Sequence, residues 1–454
     1  MAKVRRKFNF AGMIMVGLAM LLYCSCKGPE SLSRSQSVQL DRLITESEVF
    51  QSASTGFLLM EPESGYVMYE DNAHKYFTPA SNIKIFTLYT ALEILGDSIP
   101  LFHYMQSGDT LYIKASGGPS ITSPHFDDEK TALDLLKKEE HRYIGLLADH
   151  YLDERFGPGW AWDGYRFNYQ AERSPITFYG NRIKLTFFPN DTVPRVFPAF
   201  FENRTEKSKV DLPGRGSLLA DRKEFENQFY YSVDGGATDT LERLVPFRVD
   251  RAVVSQLFSD ISGKEVFWSG ELENKREWKT LHSAQPDSLY RRMMLQSDNF
   301  IAEQLLLSCS GVLYDTLLGS MAIRYAVDSL FFGIPDRMNW WDGSGMSRYN
   351  MTTPANTAFA LRMLYQKMDF EELIDYFPAG GRTGTLRDWY SIEPDPWIYA
   401  KTGTLRNHHS LSGFLKGKSG RVFIFSFMHN NFSGASFSHR EEMNKVLYYL
   451  HQQL

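Results

Sequence analysis

The 454-residue sequence predicts an α+β fold, in which an antiparallel sheet with helices is interrupted by a large β-rich insertion. Helical and strand-like patterns are interleaved before residue 104 and again after residue 267. Between these positions the chain has short alternating apolar runs, frequent Gly, Pro and Asn, and little helical periodicity. A chain of this length exceeds what one hydrophobic core usually serves, so more than one domain is expected.

The N-terminus predicts a signal peptide over residues 1–26. The stretch MAKVRRKFNF carries four Lys or Arg residues, and the apolar run AGMIMVGLAMLLY of 13 residues follows it. A helix needs roughly 20 apolar residues to cross a bilayer. We therefore expect cleavage and export rather than a permanent transmembrane anchor.

The segment LLYCSCKGPE resembles the lipobox of bacterial lipoproteins, in which a cysteine is lipidated and becomes the first residue of the mature chain. Cys26 is the predicted lipidation site. Cys24 is a competing acceptor, and an ordinary signal with incidental cysteines is the alternative. Acyl chains would hold the protein at a membrane surface, so we expect an exported, periplasmic protein with a lipid anchor in the outer membrane.

The composition argues against several classes of protein. The chain has 49 basic and 54 acidic residues and a formal net charge of −5, which gives no electrostatic reason to expect nucleic acid. Cys309 is the only cysteine after the leader, so we expect no intramolecular disulfide and an inert role in packing. No cofactor and no metal are expected.

The first part of the predicted core, residues 27–103, contains a hairpin and a covered helix. The stretch STGFLLMEPESGYVMYEDN has two alternating apolar runs around the turn signal Glu-Ser-Gly. From residue 78 onward, TPASNIKIFTLYTAL begins a helical pattern for which Gly96 is a suitable end. The apolar stripe of this helix consists of Ile85, Leu88, Leu92 and Leu95.

The predicted insertion, residues 104–267, has strand-like runs such as LYIKA, RIKLTFFP and QFYYSVDGG. We expect it to form either one β-rich module or two small subdomains. Residues 268–454 are expected to complete the core. Helical spacing resumes in DSLYRRMMLQSDNFIAEQLLLSC. The stretch HHSLSGFLKGKSGRVFIFSFMHNN predicts paired strands around a Lys-Ser-Gly turn, and EEMNKVLYYLHQQL predicts a closing helix.

Ser81 and Lys84 are the first candidates for chemistry. A serine hydroxyl is a weak nucleophile until a neighbouring base removes its proton. Residues three apart on a helix share a face, so the lysine amine can reach the hydroxyl. Burial and a second cation nearby would keep that amine neutral. The alternative is that Ser81 caps the helix and Lys84 extends into solvent.

Two further motifs follow in order along the chain. They are Ser297-Asp298-Asn299 in LQSDNFIAEQLL and Lys401-Thr402-Gly403-Thr404 in YAKTGTLRNH. Each motif alone is weak, since Ser-Asp-Asn could cap a helix and Lys-Thr-Gly could form a turn. Ser-x-x-Lys, Ser-Asp-Asn and Lys-Thr-Gly in this order are the signature of β-lactamases and penicillin-binding proteins.

Each motif suggests a physical role. Ser297 could bond to Lys84 and relay a proton to a leaving amine, and the Asn299 amide could hold a substrate peptide group. Lys401 would supply the second positive charge. With the hydroxyls of Thr402 and Thr404, it could also receive a substrate carboxylate.

Backbone groups of the same motifs complete the predicted site. Gly403 would let a substrate strand lie close to the Lys-Thr-Gly strand. The backbone N–H groups of Ser81 and Thr404 are the expected oxyanion hole.

The sequence resembles the class C, low-molecular-mass penicillin-binding proteins of the penicillin-binding protein 4 type, which are D-alanyl-D-alanine carboxypeptidases and endopeptidases. Besides the trio, WWDGSGMSRYNMTTP, FPAGGRTGTLRD and FGPGWAWDGY are similar to stretches of that family. The resemblance spans residues 47–454. It implies a serine acyl-transferase core like that of the serine β-lactamases, split by a large insertion. It also implies β-lactam sensitivity and peptidoglycan stem peptides as substrate.

The chain departs from the family pattern where SGGPSITS lacks the usual aspartate, so the family's substrate contacts from the insertion are not carried over to this chain. Two other readings remain. One is a β-lactamase or esterase on the same core, and the other is a catalytically inactive wall-binding lipoprotein.

Some other residues suggest chemistry but have simpler explanations. His408 and His409 would point to opposite faces of a strand, so one buried and one exposed histidine is expected rather than a metal site. Asp342 is expected to structure its loop. Trp160 and Trp162 are expected to form a small satellite core.

Overall fold

The structure, a computed structural model, describes residues 31–454 apart from residues 120, 123–127, 190, 192, 213, 215, 235–237, 271 and 273–276. The predicted signal peptide over residues 1–26 and the lipidation site Cys26 lie outside the described residues. Within the described part of the chain, no helix is both long enough and apolar enough to cross a membrane.

The strands are numbered in chain order. They are β1 (Ser54–Met60), β2 (Val67–Asp71), β3 (Pro100–Ser107), β4 (Thr110–Ala115), β5 (Tyr143–Leu147), β6 (Arg182–Phe187), β7 (Arg195–Phe197), β8 (Thr205–Lys207), β9 (Leu218–Arg222), β10 (Phe229–Val233), β11 (Leu241–Pro246), β12 (Glu265–Trp268), β13 (Lys279–His282), β14 (Ile398–Leu405), β15 (His408–Lys416) and β16 (Val422–Asn430).

The α-helices are numbered in the same way. They are α1 (Arg34–Thr45), α2 (Glu48–Gln51), α3 (Ile83–Ile94), α4 (Asp128–Leu136), α5 (Arg251–Ser262), α6 (Pro286–Leu295), α7 (Asn299–Tyr314), α8 (Gly319–Tyr325), α9 (Pro354–Lys367), α10 (Phe370–Ile374) and α11 (Phe437–Gln453).

The central sheet combines both ends of the chain. Its strand order is β14-β15-β16-β1-β2, and every neighbouring pair is antiparallel. Alternate side chains enter two different cores, because successive strand residues point to opposite faces. Leu58 packs with α3, α7 and α9 on one face, whereas Phe57 and Leu59 pack with α1 and α11 on the other. This is the predicted α+β core of an antiparallel sheet with helices.

Several predicted elements are confirmed. The first hairpin is β1 and β2, and Gly65 in its turn has a φ of +74°. The covered helix is α3, and Gly96 follows it with a φ of +50°. The paired strands β15 and β16 and the closing helix α11 lie where the sequence places them.

Most of the regular elements of the inserted segment are short strands. A mixed sheet has the order β12-β5-β4-β3-β13, and two three-stranded sheets have the orders β8-β10-β9 and β11-β6-β7. These sheets and α5 share one hydrophobic core. Residue 104, the predicted start of the insertion, lies inside β3, and residue 267, its predicted end, lies inside β12. The pairing of β3 with β13 extends this body from Pro100 to His282, and we propose the three-part division of the chain with those limits.

Candidate active site

Ser81 lies in a 3₁₀ turn, Ala80–Asn82, that leads directly into α3. Ala80 has a φ of +50°, a left-handed conformation that non-glycine residues rarely adopt. Asn82 is fully buried, and its Nδ2 donates to the Lys401 carbonyl oxygen over 2.9 Å. The strained turn is therefore tied to β14, which carries the Lys-Thr-Gly motif.

Two glycines allow the chain to close around this turn. A Cβ atom at Gly403 would lie 3.0 Å from the backbone nitrogens of Ser81 and Asn82. Gly345 has a φ of +83°, and a Cβ atom there would overlap the Ala80 carbonyl oxygen. Gly403 therefore allows β14 to lie close to the serine turn, whereas the sequence predicts that it would allow a substrate strand to approach.

Lys84 is fully buried beneath Ser81. Its Nζ lies 3.1 Å from Ser81 Oγ, 2.6 Å from Asn299 Oδ1 and 2.6 Å from the Ser344 carbonyl oxygen. The expected spacing of three residues on a helix therefore does bring the amine to the hydroxyl. The alternative, in which Lys84 extends into solvent, is wrong.

Burial lowers the pKa of Lys84 to about 8. The carboxylates of Asp342, Glu303 and Asp298 act in the opposite direction, because they favour the ammonium form. Burial and the neighbouring Lys84 lower the pKa of Lys401 well below its ordinary value. Charging both of these buried, neighbouring amines at once would cost free energy, because burial and like charges both disfavour the ammonium form.

Ser297 and Lys401 form the second pair of the site. Lys401 Nζ donates to Ser297 Oγ over 2.8 Å and to the Thr402 carbonyl oxygen over 2.9 Å. Ser297 has a φ of +55°, a second strained position in the site. The expected bond between Ser297 and Lys84 is absent from the contacts of the described residues, since Asn299 occupies that place on Lys84.

Asn299 opens α7 and joins the insertion to the site. While its Oδ1 accepts from Lys84, its Nδ2 donates to the Tyr169 carbonyl oxygen over 2.9 Å. Asp298 caps the helix by accepting from the Ile301 N–H over 3.2 Å. In this state both halves of the Asn299 amide are bound within the protein rather than directed at a substrate group.

A cleft of about 760 Å³ connects these groups. Ser81, Ser297, Asn299 and Thr404 all line it, together with Tyr169 from the insertion. Lys84 and Lys401 lie buried beneath its floor. The backbone N–H groups of Ser81 and Thr404, the expected oxyanion hole, belong to two residues on this one cleft.

The side chains of Thr402 and Thr404 point to the face of β14 opposite that of Lys401, because successive strand residues alternate. Thr402 Oγ1 lies 2.8 Å from Thr385 Oγ1, so it is linked to the loop before β14. Thr404 Oγ1 lies 2.8 Å from His409 Nδ1 on β15. Of these two threonines, Thr404 lines the cleft and Thr402 does not.

Glu303 is a further residue of the site that the sequence motifs do not predict. It lies one helical turn after Asn299 and is nearly fully buried, and its Oε1 accepts from the Ser344 N–H over 2.8 Å. Burial and then Asp342 raise its pKa to about 7. Its spacing of four from Asn299 was the available signal, because such residues share a helix face.

Asp342 structures its loop, as expected. It accepts from the Gly345 N–H over 2.9 Å and from the Ser347 N–H over 2.6 Å. Trp160 Nε1 also donates to it over 2.7 Å. The expectation of a satellite core from both tryptophans is wrong, because Trp162 is 72% exposed.

The two histidines after β14 differ in burial. His409 is 1% exposed, whereas His408 is only partly buried. Cys309 is a free thiol, fully buried, and burial raises its pKa. It packs among apolar side chains of α7, as expected.

A serine hydroxyl beside a buried amine, at the floor of a cleft with a second buried lysine, is the arrangement of a serine-type hydrolase. The chain belongs to the D-Ala-D-Ala carboxypeptidase 3 (S13) family, which it matches over residues 36–452. It is therefore a peptidase with a penicillin-binding protein fold, as the resemblance implied.

Individual relatives agree with this assignment. D-alanyl-D-alanine carboxypeptidase DacB of Haemophilus influenzae is 23% identical over 429 residues, which cover 84% of this chain and 86% of that protein. D-alanyl-D-alanine carboxypeptidase of Actinomadura sp. R39 is 23% identical over 444 residues, which cover 86% and 80%. The crystal structure of penicillin binding protein 4 from Haemophilus influenzae has a TM-score of 0.66 and 21% identity, and the match covers 91% of this chain and 97% of that one. That likeness shows a shared fold.

Proposed function

We propose that this chain cleaves D-alanyl-D-alanine bonds of peptidoglycan stem peptides, as a carboxypeptidase or endopeptidase, through an acyl-enzyme on Ser81. One observation carries the proposal. Lys84 Nζ lies 3.1 Å from Ser81 Oγ, and Lys401 Nζ lies 2.8 Å from Ser297 Oγ, and both serines line one cleft.

Acylation begins with proton transfer from Ser81 Oγ to neutral Lys84. Burial supports this step, because it lowers the pKa of Lys84 to about 8 and so populates the neutral amine near neutral pH. The serine oxygen then attacks the carbonyl carbon of the penultimate D-Ala. The N–H groups of Ser81 and Thr404 would stabilise the resulting oxyanion.

Ser297 is placed to return a proton to the leaving amine. Its oxygen accepts from Lys401, so its own hydroxyl proton is free to pass to the departing nitrogen. Lys401 can then resupply that proton. The proton that Lys84 took from Ser81 then passes to Lys401, so both amines return to their starting states. In the second half-reaction Lys84 takes a proton from a water molecule that attacks the acyl carbon, and this proton returns to Ser81 Oγ as the shortened peptide leaves with a new carboxyl group.

Lys401 and Thr404 are the proposed recognition groups for the carboxylate at the end of the substrate. An ammonium group and a hydroxyl donor are suitable partners for a group that only accepts hydrogen bonds. β-Lactams also carry a carboxylate, and we propose them as inhibitors that acylate Ser81. Penicillin binding protein 4 from Haemophilus influenzae, with a TM-score of 0.63 and 19% identity, has been solved in complex with a β-lactam.

We further propose that the protein works outside the cytoplasm, in the periplasm, held to the outer membrane by a lipid on Cys26. The basic and apolar N-terminal stretch and the Cys-Ser-Cys sequence support this location. Processing of the chain can be checked by mass spectrometry of the N-terminal peptide and by metabolic labelling with a fatty acid.

Labelling of the purified soluble chain by a fluorescent penicillin tests the assignment. We expect a long-lived adduct on Ser81, no label on Ser81→Ala, and labelling of Lys84→Ala slowed by at least about 10²–10⁴-fold, since that is the usual contribution of a general base. The far-ultraviolet circular dichroism of both variants should match that of the parent. Undiminished labelling of Lys84→Ala would refute the base assignment.

The same assay separates the alternatives. Rapid release of the hydrolysed drug would favour a β-lactamase or esterase, and absence of any label would favour a catalytically inactive wall-binding protein. Incubation with a pentapeptide and with a cross-linked muropeptide then distinguishes carboxypeptidase from endopeptidase activity.

A further inference from the structure

A row of four polar side chains crosses the central sheet and ends at the cleft. Thr404 pairs with His409, His409 pairs with His429, and His429 pairs with Thr55. Directly paired residues point to the same face of a sheet, so the four side chains are neighbours. Hydrogen bonds join both ends: Thr404 Oγ1 lies 2.8 Å from His409 Nδ1, and Thr55 Oγ1 lies 2.9 Å from His429 Nδ1.

Both histidines in this row are neutral. His409 is 1% exposed and His429 is fully buried. Burial lowers the pKa of His409 to about 3 and holds the pKa of His429 well below its usual value. A neutral imidazole has a single N–H, so each ring donates at one nitrogen only.

Thr55 fixes the tautomer of His429. The hydroxyl of Thr55 donates its only proton to the Phe50 carbonyl oxygen over 3.2 Å. Its oxygen must therefore accept from His429, which places the proton of that ring on Nδ1. The Nε2 atom of His429 is then an unprotonated nitrogen, and it is buried with no hydrogen-bond partner among the described residues.

A separate observation indicates the tautomer of His409. Its Nε2 is also buried without a partner among the described residues. A proton on Nε2 would leave a buried N–H without an acceptor, which folded proteins rarely tolerate. A proton on Nδ1 avoids this and donates to Thr404 Oγ1. The hydroxyl proton of Thr404 is then directed away from His409.

We propose that His409 is a positioning residue that makes the Thr404 hydroxyl a hydrogen-bond donor toward the substrate carboxylate. Thr404 is exposed and lines the cleft with Ser81, whereas His409 is buried and is not among the residues that line the cleft. A carboxylate only accepts hydrogen bonds, so a hydroxyl oxygen already occupied by an N–H presents it with the correct partner. The consequence for selectivity rests on the proposed function, whereas the tautomer does not.

Peptide kinetics test the selectivity. The substrates are a D-Ala-D-Ala peptide with a free C-terminal carboxylate and the same peptide with a C-terminal amide. His409→Leu removes the donor, and we expect kcat/KM for the acid to fall about tenfold, the value of one hydrogen bond to a charged group. The amide reaction should keep its rate. His409→Asn is the matched control, because its side-chain N–H₂ can take the place of Nδ1–H and should retain most of the preference.

A Thr404→Val background completes the test. If His409 acts only through the Thr404 hydroxyl, His409→Leu should cause no further loss on the acid in that background. Equal losses on acid and amide, or an Asn variant as impaired as the Leu variant, would overturn the proposal. If His409→Leu does not fold, as judged by its melting curve, His409→Gln replaces it, since its amide is displaced from the position of Nδ1.

Nitrogen-15 NMR of histidine-labelled protein tests the tautomer directly. The His409 signals are assigned by their loss in His409→Asn, and we expect the Nδ1–H form for His409 and for His429. An Nε2–H form at His409 would overturn the proposal whatever the kinetics show. If the parent enzyme cleaves neither peptide, the proposed function fails, and with it the selectivity for a carboxylate, whereas the NMR result still decides the tautomer of His409.

Discussion

Lys84 is the residue on which the chemistry depends, and opposing influences set its charge. Burial favours the neutral amine, whereas Asp342, Glu303 and Asp298 favour the ammonium ion. Glu303 also reaches Lys84 through the backbone: its carboxylate accepts from the Ser344 N–H, and the Ser344 carbonyl accepts from Lys84 Nζ. The rate of acylation should therefore rise with pH through about 8, as Lys84 loses its proton.

Glu303→Gln should move that rise to lower pH. The amide oxygen can still accept from Ser344, but the negative charge that favours protonated Lys84 is gone, so the pKa of Lys84 falls further. The measurement is the rate of acylation by a fluorescent penicillin across a pH series. Glu372→Gln, an exposed carboxylate on α10, is the control and should leave the profile unchanged. An unchanged or upward-shifted midpoint in Glu303→Gln would contradict this account.

At the scale of elements, the site is formed where the serine turn contacts the loop that contains Gly345 and strand β14. These contacts hold backbone positions in strained conformations. Ala80 and Ser297 both have a positive φ. Residues in such conformations cost about 1–3 kcal/mol each and persist only where their surroundings enforce them. Gly345 packs against the Ala80 carbonyl, and the Asn82 amide holds β14 from the other side.

Gly345→Ala should therefore displace the serine turn. Its Cβ would overlap the Ala80 carbonyl oxygen and lie 3.0 Å from Ser81 N. A misplacement of about 1 Å costs roughly 10²-fold in rate, and we expect a loss of that order in acylation. Gly420→Ala is a matched control, because Gly420 has the same φ of +83° with no atom within 4 Å of the added Cβ. Similar rates for the two variants would show that the contact is not needed.

At the scale of the whole molecule, the insertion is bonded to the core beside the nucleophile. Tyr169 accepts from Asn299, Trp160 donates to Asp342, and Arg173 Nη1 lies 3.6 Å from Glu303 Oε2. The insertion therefore forms one wall of the cleft and also stabilises the loops that surround Lys84. Removing these bonds should affect the catalytic core as well as the insertion.

Trp160→Phe tests this coupling. The change keeps an aromatic ring but removes the N–H that donates to buried Asp342 over 2.7 Å. Asp342 keeps its bonds to Gly345 and Ser347. A hydrogen bond to a charged group nevertheless contributes about 1.5–3 kcal/mol, so the free energy of unfolding should fall by about that amount and acylation should slow. Trp162→Phe alters a side chain that is 72% exposed and should have little effect on either. Equal stability of the two variants would argue against the coupling.

Local spacing predicted much of the molecule, because it depends only on neighbouring residues. The helix period placed Lys84 on the face of Ser81, and period-two alternation gave the hairpin and the β15–β16 pair. Contacts between distant segments were not predictable in this way. Lys84 bonds to Asn299 and not to Ser297 because of the way α7 packs against α3, which local spacing does not predict. The pairing of β3 with β13, which extends the insertion, depends on packing across the whole insertion.

The position of β1 in the central sheet has a consequence for biosynthesis. It lies between β2 and β16, so residues near position 54 pair with residues near position 430. A ribosome delivers the first of these strands long before the last. Until the final segment emerges, one edge of β1 has no partner and is exposed to aggregation. Lys401 also lies late in the chain, on β14, so the site that joins it to Ser81 cannot assemble until most of the polypeptide has been synthesised.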